Sequence, residues 1–287
     1  MLRSILVALD GSSSSLTAAR LALALARRHN AHVEGLGIVN SAWIQRPEPM
    51  PIGGTAIKKA LDLRHLASAR ERVNVVLQDF RNEAGNFGLV SLETREVEGN
   101  PVVVIERDAT AHDLVVLGRN SMFDVEGELC KLPLCVERIV RAEPRPILLV
   151  PPTSHRKGDD VMNPVLLAYD GGPAASRTLH MFALLGLAED RTVHVVTIDN
   201  ASEANATETA GRACALLSRH GVSQTHAIGL GDRQAGTPSE VILGMAKSLD
   251  AGLIVMGAYG HSGIREIFGS CTREVLTACS QVLFLHH

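Results

Sequence analysis

Aromatic residues are scarce in this 287-residue chain, 3% of it, although hydrophobic residues make up 46%. A core with so few rings must be filled by Val, Leu, Ile and Ala, which is the composition of a parallel sheet covered by helices. Long apolar runs are missing too. No stretch approaches the length of a membrane span, and Met1-Leu2-Arg3-Ser4-Ile5-Leu6-Val7 turns into a strand rather than a signal-peptide core. The reading is a cytoplasmic protein without a membrane partner. Positive charge is not in excess: 28 Lys and Arg against 31 Asp and Glu leave a net charge of −3. With no basic field to release counterions, nucleic acid is not expected as a partner. The five cysteines, Cys130, Cys135, Cys214, Cys271 and Cys279, are an odd set without CxxC spacing. They point to buried, idle thiols rather than a disulfide framework or a zinc site.

Familiar catalytic signatures are absent as well. There is no Gly-x4-Gly-Lys-Ser/Thr, no kinase set, no Gly-x-Ser-x-Gly elbow, and no Gly-x-Gly-x2-Gly after the first strand. Common NTPases, hydrolases and dehydrogenases recede. His286-His287 reads as a frayed, solvated tail, and His29 and His32 as surface residues beside a helix end.

What the chain does have is an internal duplication. Ser4-Ile5-Leu6-Val7-Ala8-Leu9-Asp10 is an apolar strand ended by Gly11 and a serine run, followed by a helical pattern from Ser15 to Arg28. Pro164-Val165-Leu166-Leu167-Ala168-Tyr169-Asp170 repeats it, ended by Gly171-Gly172 and followed by a helical pattern from Ala174 to Leu187. Gly99-Asn100-Pro101 and Gly236-Thr237-Pro238 each open a helix before a second buried strand, and each half closes on one more strand, Ile147 to Val150 and Val282 to Leu285. Each half therefore reads as five strands alternating with four helices, an α/β fold. The domains are read as 1–156 and 157–287, split in the polar, breaker-rich stretch Pro151 to Asp160. Asp10 and Pro101 are 91 residues apart but Asp170 and Pro238 only 68. The surplus falls at Trp43 to Asp62, where prolines and Gly53-Gly54 predict an irregular loop, either a partner-binding feature or a surface excursion.

The second half carries a glycine cluster beyond its fourth strand: Gly257, Gly260, then Gly269-Ser270. Glycine allows close backbone approach to a ligand, and a serine at a helix start adds a hydroxyl to free N–H donors, so this is where an α/β fold would hold phosphate. In an open parallel sheet both Asp170 and Gly257 lie at strand ends facing one crevice. Counting back from the final strand puts Leu134-Cys135 of the first half where Gly269-Ser270 stand in the second. Met122, Phe123, Glu126 and Glu128 bring bulk and negative charge there, so that half is expected not to hold phosphate.

Asp170-Gly171, Gly236-Thr237-Pro238 and Gly257-x2-Gly260-x8-Gly269-Ser270 together resemble the nucleotide-binding signature of the universal stress protein family. Eight residues separate Gly260 from Gly269, where that family's ATP-binding branch has nine. The resemblance covers nearly the whole chain, twice. It implies two doubly wound, Rossmann-like or flavodoxin-like five-stranded sheets of order 3-2-1-4-5. It further implies ATP, with or without Mg, held by Asp170 and Ile198 at the nucleoside and by Gly257, Gly260, Gly269 and Ser270 at the phosphates. His261 and Arg265 would add positive charge. It also implies an intramolecular pseudo-dimer through the last strands, leaving open a homodimer and an unknown protein partner. Nucleotide occupancy would then act as a switch, with no residue placed as a base to activate water. Slow hydrolysis or autophosphorylation on Ser262 or Ser270 stays open. The alternatives are a protein-interaction module with empty pockets and an adenylyl-type enzyme, although neither Asp10-Gly11-Ser12-Ser13 nor Asp170-Gly171-Gly172-Pro173 supplies the Ser-Gly-Gly-x-Asp-Ser loop such an enzyme would want.

Overall fold

The computed structural model describes residues 1–49, 54–88, 91–123, 132–152, 161–231, 236–258 and 270–287. The 156/157 domain boundary lies outside them.

The first half contains β1 (Ser4–Leu9), α1 (Ser13–His29), β2 (His32–Val39), α2 (Ser41–Ile44), α3 (Thr55–Phe87), β3 (Leu92–Glu98), α4 (Pro101–Ala109), β4 (Leu114–Gly118), α5 (Leu134–Ala142) and β5 (Ile147–Val150). The second contains β6 (Val165–Ala168), α6 (Pro173–Leu184), β7 (Thr192–Ile198), α7 (Glu203–Arg219), β8 (Gln224–Leu230), α8 (Pro238–Ser248), β9 (Leu253–Gly257), α9 (Ser270–Ala278) and β10 (Val282–His286). Local chemistry sets the helix starts. Ser12 accepts a hydrogen bond from Ser15 N–H at the head of α1, and Asn30 closes that helix in the left-handed conformation. Thr237 and Glu240 form a reciprocal capping box on α8, with Pro238 in its first turn.

The strands form one ten-stranded sheet, ordered β3-β2-β1-β4-β5-β10-β9-β6-β7-β8. Each half has the expected order 3-2-1-4-5, and its strands run parallel. The halves join where β5 meets β10 antiparallel, with Leu148 opposite Phe284 and Leu149 opposite Leu283. Alternate strand residues feed two cores, one on each face: Ile5, Val7 and Leu9 go to one, Leu6 and Ala8 to the other. Both cores take residues from both halves.

Three expectations need correction. Much of the surplus after Trp43 is helical: Ser41–Ile44 is a short helix, and α3 begins at Thr55 and runs 33 residues, against 17 in α7. From Ala56 onward the chain has no proline before Pro101, so helix propensity prevails once the breakers end. His29 is buried, 5% exposed, against the Gly186 turn of the other half, a contact invisible to local pattern. His286 and His287 are not frayed. His286 belongs to β10 and is buried, its carbonyl accepting from Ala258 N–H and the Thr178 hydroxyl, while a His287 ring nitrogen lies 2.7 Å from the Val140 carbonyl.

Candidate nucleotide site

At the carboxyl ends of the second half's central strands lies a cavity of about 250 Å³. Its walls come from Ala168 at the end of β6, Tyr169 and Asp170 after it, Val196 and Ile198 on β7, Pro238 and Ile242 on α8, and Met256 and Gly257 on β9. Ala174 and Ala175 of α6 and Cys271 and Thr272 of α9 complete it. The interior is apolar and Asp170, exposed to solvent, stands among its lining residues. Asp170 Oδ1 accepts a hydrogen bond from Gly172 N–H at 2.8 Å, an Asx turn that fixes the carboxylate. Burial, with Glu274 and Asp170 nearby, pushes the Cys271 thiol up to about 11, so it stays protonated and unreactive at neutral pH.

Of the residues named from the sequence, Asp170, Ile198 and Gly257 meet at this cavity. Gly260, His261, Arg265 and Gly269 lie outside the described residues, and of Ser270 only its backbone position at the start of α9 is described. Gly257 turns out to have a packing reason to be glycine. A Cβ there would sit 2.9 Å from the backbone carbonyl carbon of Ala174 and 2.9 Å from Ala175 N, so it would collide with the first turn of α6. Gly118 holds the matching place in the first half, where a Cβ would meet Ser15 N at 2.6 Å.

The same positions differ sharply between the halves. In the first, Ser12 caps α1, Ser14 Oγ accepts from Asn120 N–H, and Ser15 Oγ accepts from Asp10 N–H. In the second, those places are Gly172, Ala174 and Ala175, and α6 has no side-chain cap. Pro173 has no N–H, and Ala174 and Ala175, which line the cavity, have no side-chain cap for theirs, an arrangement that suits an anionic or hydroxylated ligand. The apolar walls suit a flat heterocycle and Asp170 suits sugar hydroxyls, so the described part of the cavity fits a nucleoside. Among the described residues no cluster of three or more His, Cys, Asp or Glu could hold a metal ion.

Sheet register corrects the comparison of the two fourth loops by one residue. Val115 pairs with Ile147 and its counterpart Ile254 with Leu283, so Leu134 and Ser270 stand the same number of residues before matching positions of the last strands. Pro133 therefore matches Gly269, and Leu134 matches Ser270. Proline has no N–H, so the first half has lost a donor as well as the glycine. Sequence reasoning missed Tyr169, Ile242, Met256 and Cys271 as cavity walls. Strand alternation places Met256 on the face of Ile254, and the α8 pattern places Ile242 inward, so the signal was available for those two.

Among the described residues no helix is long and apolar enough to cross a membrane. A universal stress protein of Synechocystis is 25% identical to this chain, over 97% of it and 98% of that protein. The crystal structure of a universal stress protein from Archaeoglobus fulgidus covers 99% of this chain and 97% of its own, with a TM-score of 0.72 at 17% identity. A putative universal stress protein from Pseudomonas aeruginosa covers 99% of this chain and 93% of its own, with a TM-score of 0.59 at 19% identity. The family model for universal stress proteins matches residues 1–151 and again 162–284, so the chain belongs to the universal stress protein family as a tandem of two such units.

Proposed function

We propose that the second unit binds ATP, with or without Mg, and that its occupancy acts as a switch rather than as a step of rapid turnover. One observation carries this reading: the apolar cavity that brings Asp170, Ile198 and the uncapped start of α6 to one place. The base would lie against Ile198, Val196 and Ile242 and the ribose at Asp170, with the phosphates directed toward Gly257, Ser270 and residues 259–269. His261 and Arg265 would supply positive charge there. On this reading the chain is two domains, 1–156 and 157–287, paired through their last strands as a pseudo-dimer, working in the cytoplasm with a protein partner. The second reading, a protein-interaction module, draws on Gly257. Its glycine is required by α6 whether or not phosphate binds.

Calorimetric titration with Mg-ATP separates the two. The nucleotide reading expects one equivalent per chain, an affinity loss of at least tenfold in Ile198→Trp, which fills the cavity, and a similar loss in Gly269→Val. ATP left intact over hours supports the switch. Absence of heat with the wild-type chain, and no nucleotide retained through purification, sinks the reading in favour of the interaction module.

A further inference from the structure

The residues that line the second unit's cavity have counterparts in the first. Sheet and helix register match Ala168, Val196, Ile198, Ile242 and Met256 with Ala8, Leu36, Ile38, Ile105 and Leu117. These five are at most 1% exposed, as is Phe123, whereas their counterparts Ala168 and Ile198 are only half-buried. Phe123 enters from the segment after β4 with φ at +50°, a conformation that a residue with a Cβ adopts rarely and only when its surroundings hold it there. Its carbonyl accepts from the buried Asn40 Nδ2 at 3.3 Å.

The same short segment also occupies Asp10, the counterpart of Asp170. The Ser121 hydroxyl donates to Asp10 Oδ1 at 3.2 Å. Met122 N–H donates to Oδ2 at 2.7 Å and Phe123 N–H at 3.4 Å. A phenylalanine that only filled a core would not explain why its own loop also delivers donors to this carboxylate.

We infer that the first unit is a nucleoside-type site that carries its own ligand: the Phe123 ring takes the volume of the base, and Ser121 and Met122 give Asp10 the donors that sugar hydroxyls would give. The inference rests on the nucleoside reading of the second cavity. The class of ligand the emptied site would take is an adenosine-like nucleoside without phosphates, because Pro133 offers no N–H where Gly269 stands and Leu134 replaces the serine that opens α9. The unit is thus held permanently in its occupied form, and the intact chain takes one nucleotide rather than two.

The test uses the full chain with Ser121→Gly and Phe123→Gly together, titrated with adenosine and compared with wild type. The expected result is one additional equivalent in the variant, removed again when Ile38→Trp refills the first unit's cavity. If wild type binds none but the variant binds one that Ile38→Trp abolishes, the inference holds and the reading of the second unit fails. A folded variant with wild-type stoichiometry overturns the inference. Should the variant be unfolded alone, millimolar adenosine is added in the Ile198→Trp background, since a ligand for the native state shifts the folding equilibrium. Recovery of native circular dichroism supports the inference, and no recovery overturns it.

Discussion

At the scale of single residues, the two halves show how one position serves packing and binding at once. Gly257 faces the first turn of α6 so closely that even a methyl group collides with backbone, which cannot swing away as a side chain can. Gly257→Ala is therefore expected to destabilise the fold by about 2 kcal/mol, read as a lower urea midpoint with unchanged slope. His286 makes a second case. Burial, then the neighbouring charges of His287 and Arg177, lower its pKa from 6.5 to about 4. Between those values the unfolded chain takes up a proton that the native chain refuses, so stability falls on acidification through that window. His287 and His194 are shifted in the same direction. His286→Leu is expected to flatten the pH dependence of the unfolding free energy, measured by urea titration between pH 6.5 and 4.5, by up to about 1.4 kcal/mol per pH unit for one proton. A slope equal to wild type would show that His286 titrates normally.

At the scale of elements, α3 separates into a packed part and a projecting part. Leu66, Ala69, Val73, Leu77, Phe80 and Ala84 recur at three- and four-residue steps and are buried, whereas no residue from Thr55 to His65 is. Leu77→Ala should cost about 3 kcal/mol and Leu63→Ala, at 59% exposure, under about 0.5 kcal/mol, both measured by denaturant unfolding. The buried stripe was readable from spacing alone. So were the inner strands, because fully buried parallel strands are continuous apolar runs such as Leu114 to Leu117, unlike the polar edge strands β3 and β8, and so was the convergence of Asp170 with Gly257. The start of α3 was misread because the prolines at 47, 49 and 51 forbid helix only where they stand, not in the polar sequence after Gly54. Phe123 could be seen as bulk but not as a plug. Its role depends on a left-handed backbone and on partners 83 and 113 residues away, Asn40 and Asp10, and no local period encodes such contacts.

At the scale of the whole molecule, two copies of one unit share their cores. β5 and β10 pair across the join, Leu2 N–H donates to the Leu185 carbonyl, and the Arg28 guanidinium donates to the Glu189 carbonyl at 2.9 Å. The Arg119 guanidinium also donates to the Cys279 carbonyl, tying the loop after β4 to the end of α9. Because each core cluster runs through both halves, neither half can lose its share of the sheet without exposing apolar surface of the other. The expectation is a single cooperative unfolding transition despite two family-model matches. Phe284 offers the sharpest probe: it is fully buried in β10, opposite Leu148 of β5, and packs edge-on to Phe182 at 5.4 Å. Phe284→Ala removes about 3 to 5 kcal/mol from a site in the second half. The chain's one tryptophan, Trp43, sits in α2 of the first half and reports on that half alone. If the halves unfold as one, Trp43 fluorescence and far-ultraviolet circular dichroism shift to the same lower urea midpoint in Phe284→Ala. If Trp43 keeps its wild-type midpoint while the circular dichroism splits into two steps, the shared sheet joins two independently stable units and the cooperative account is wrong.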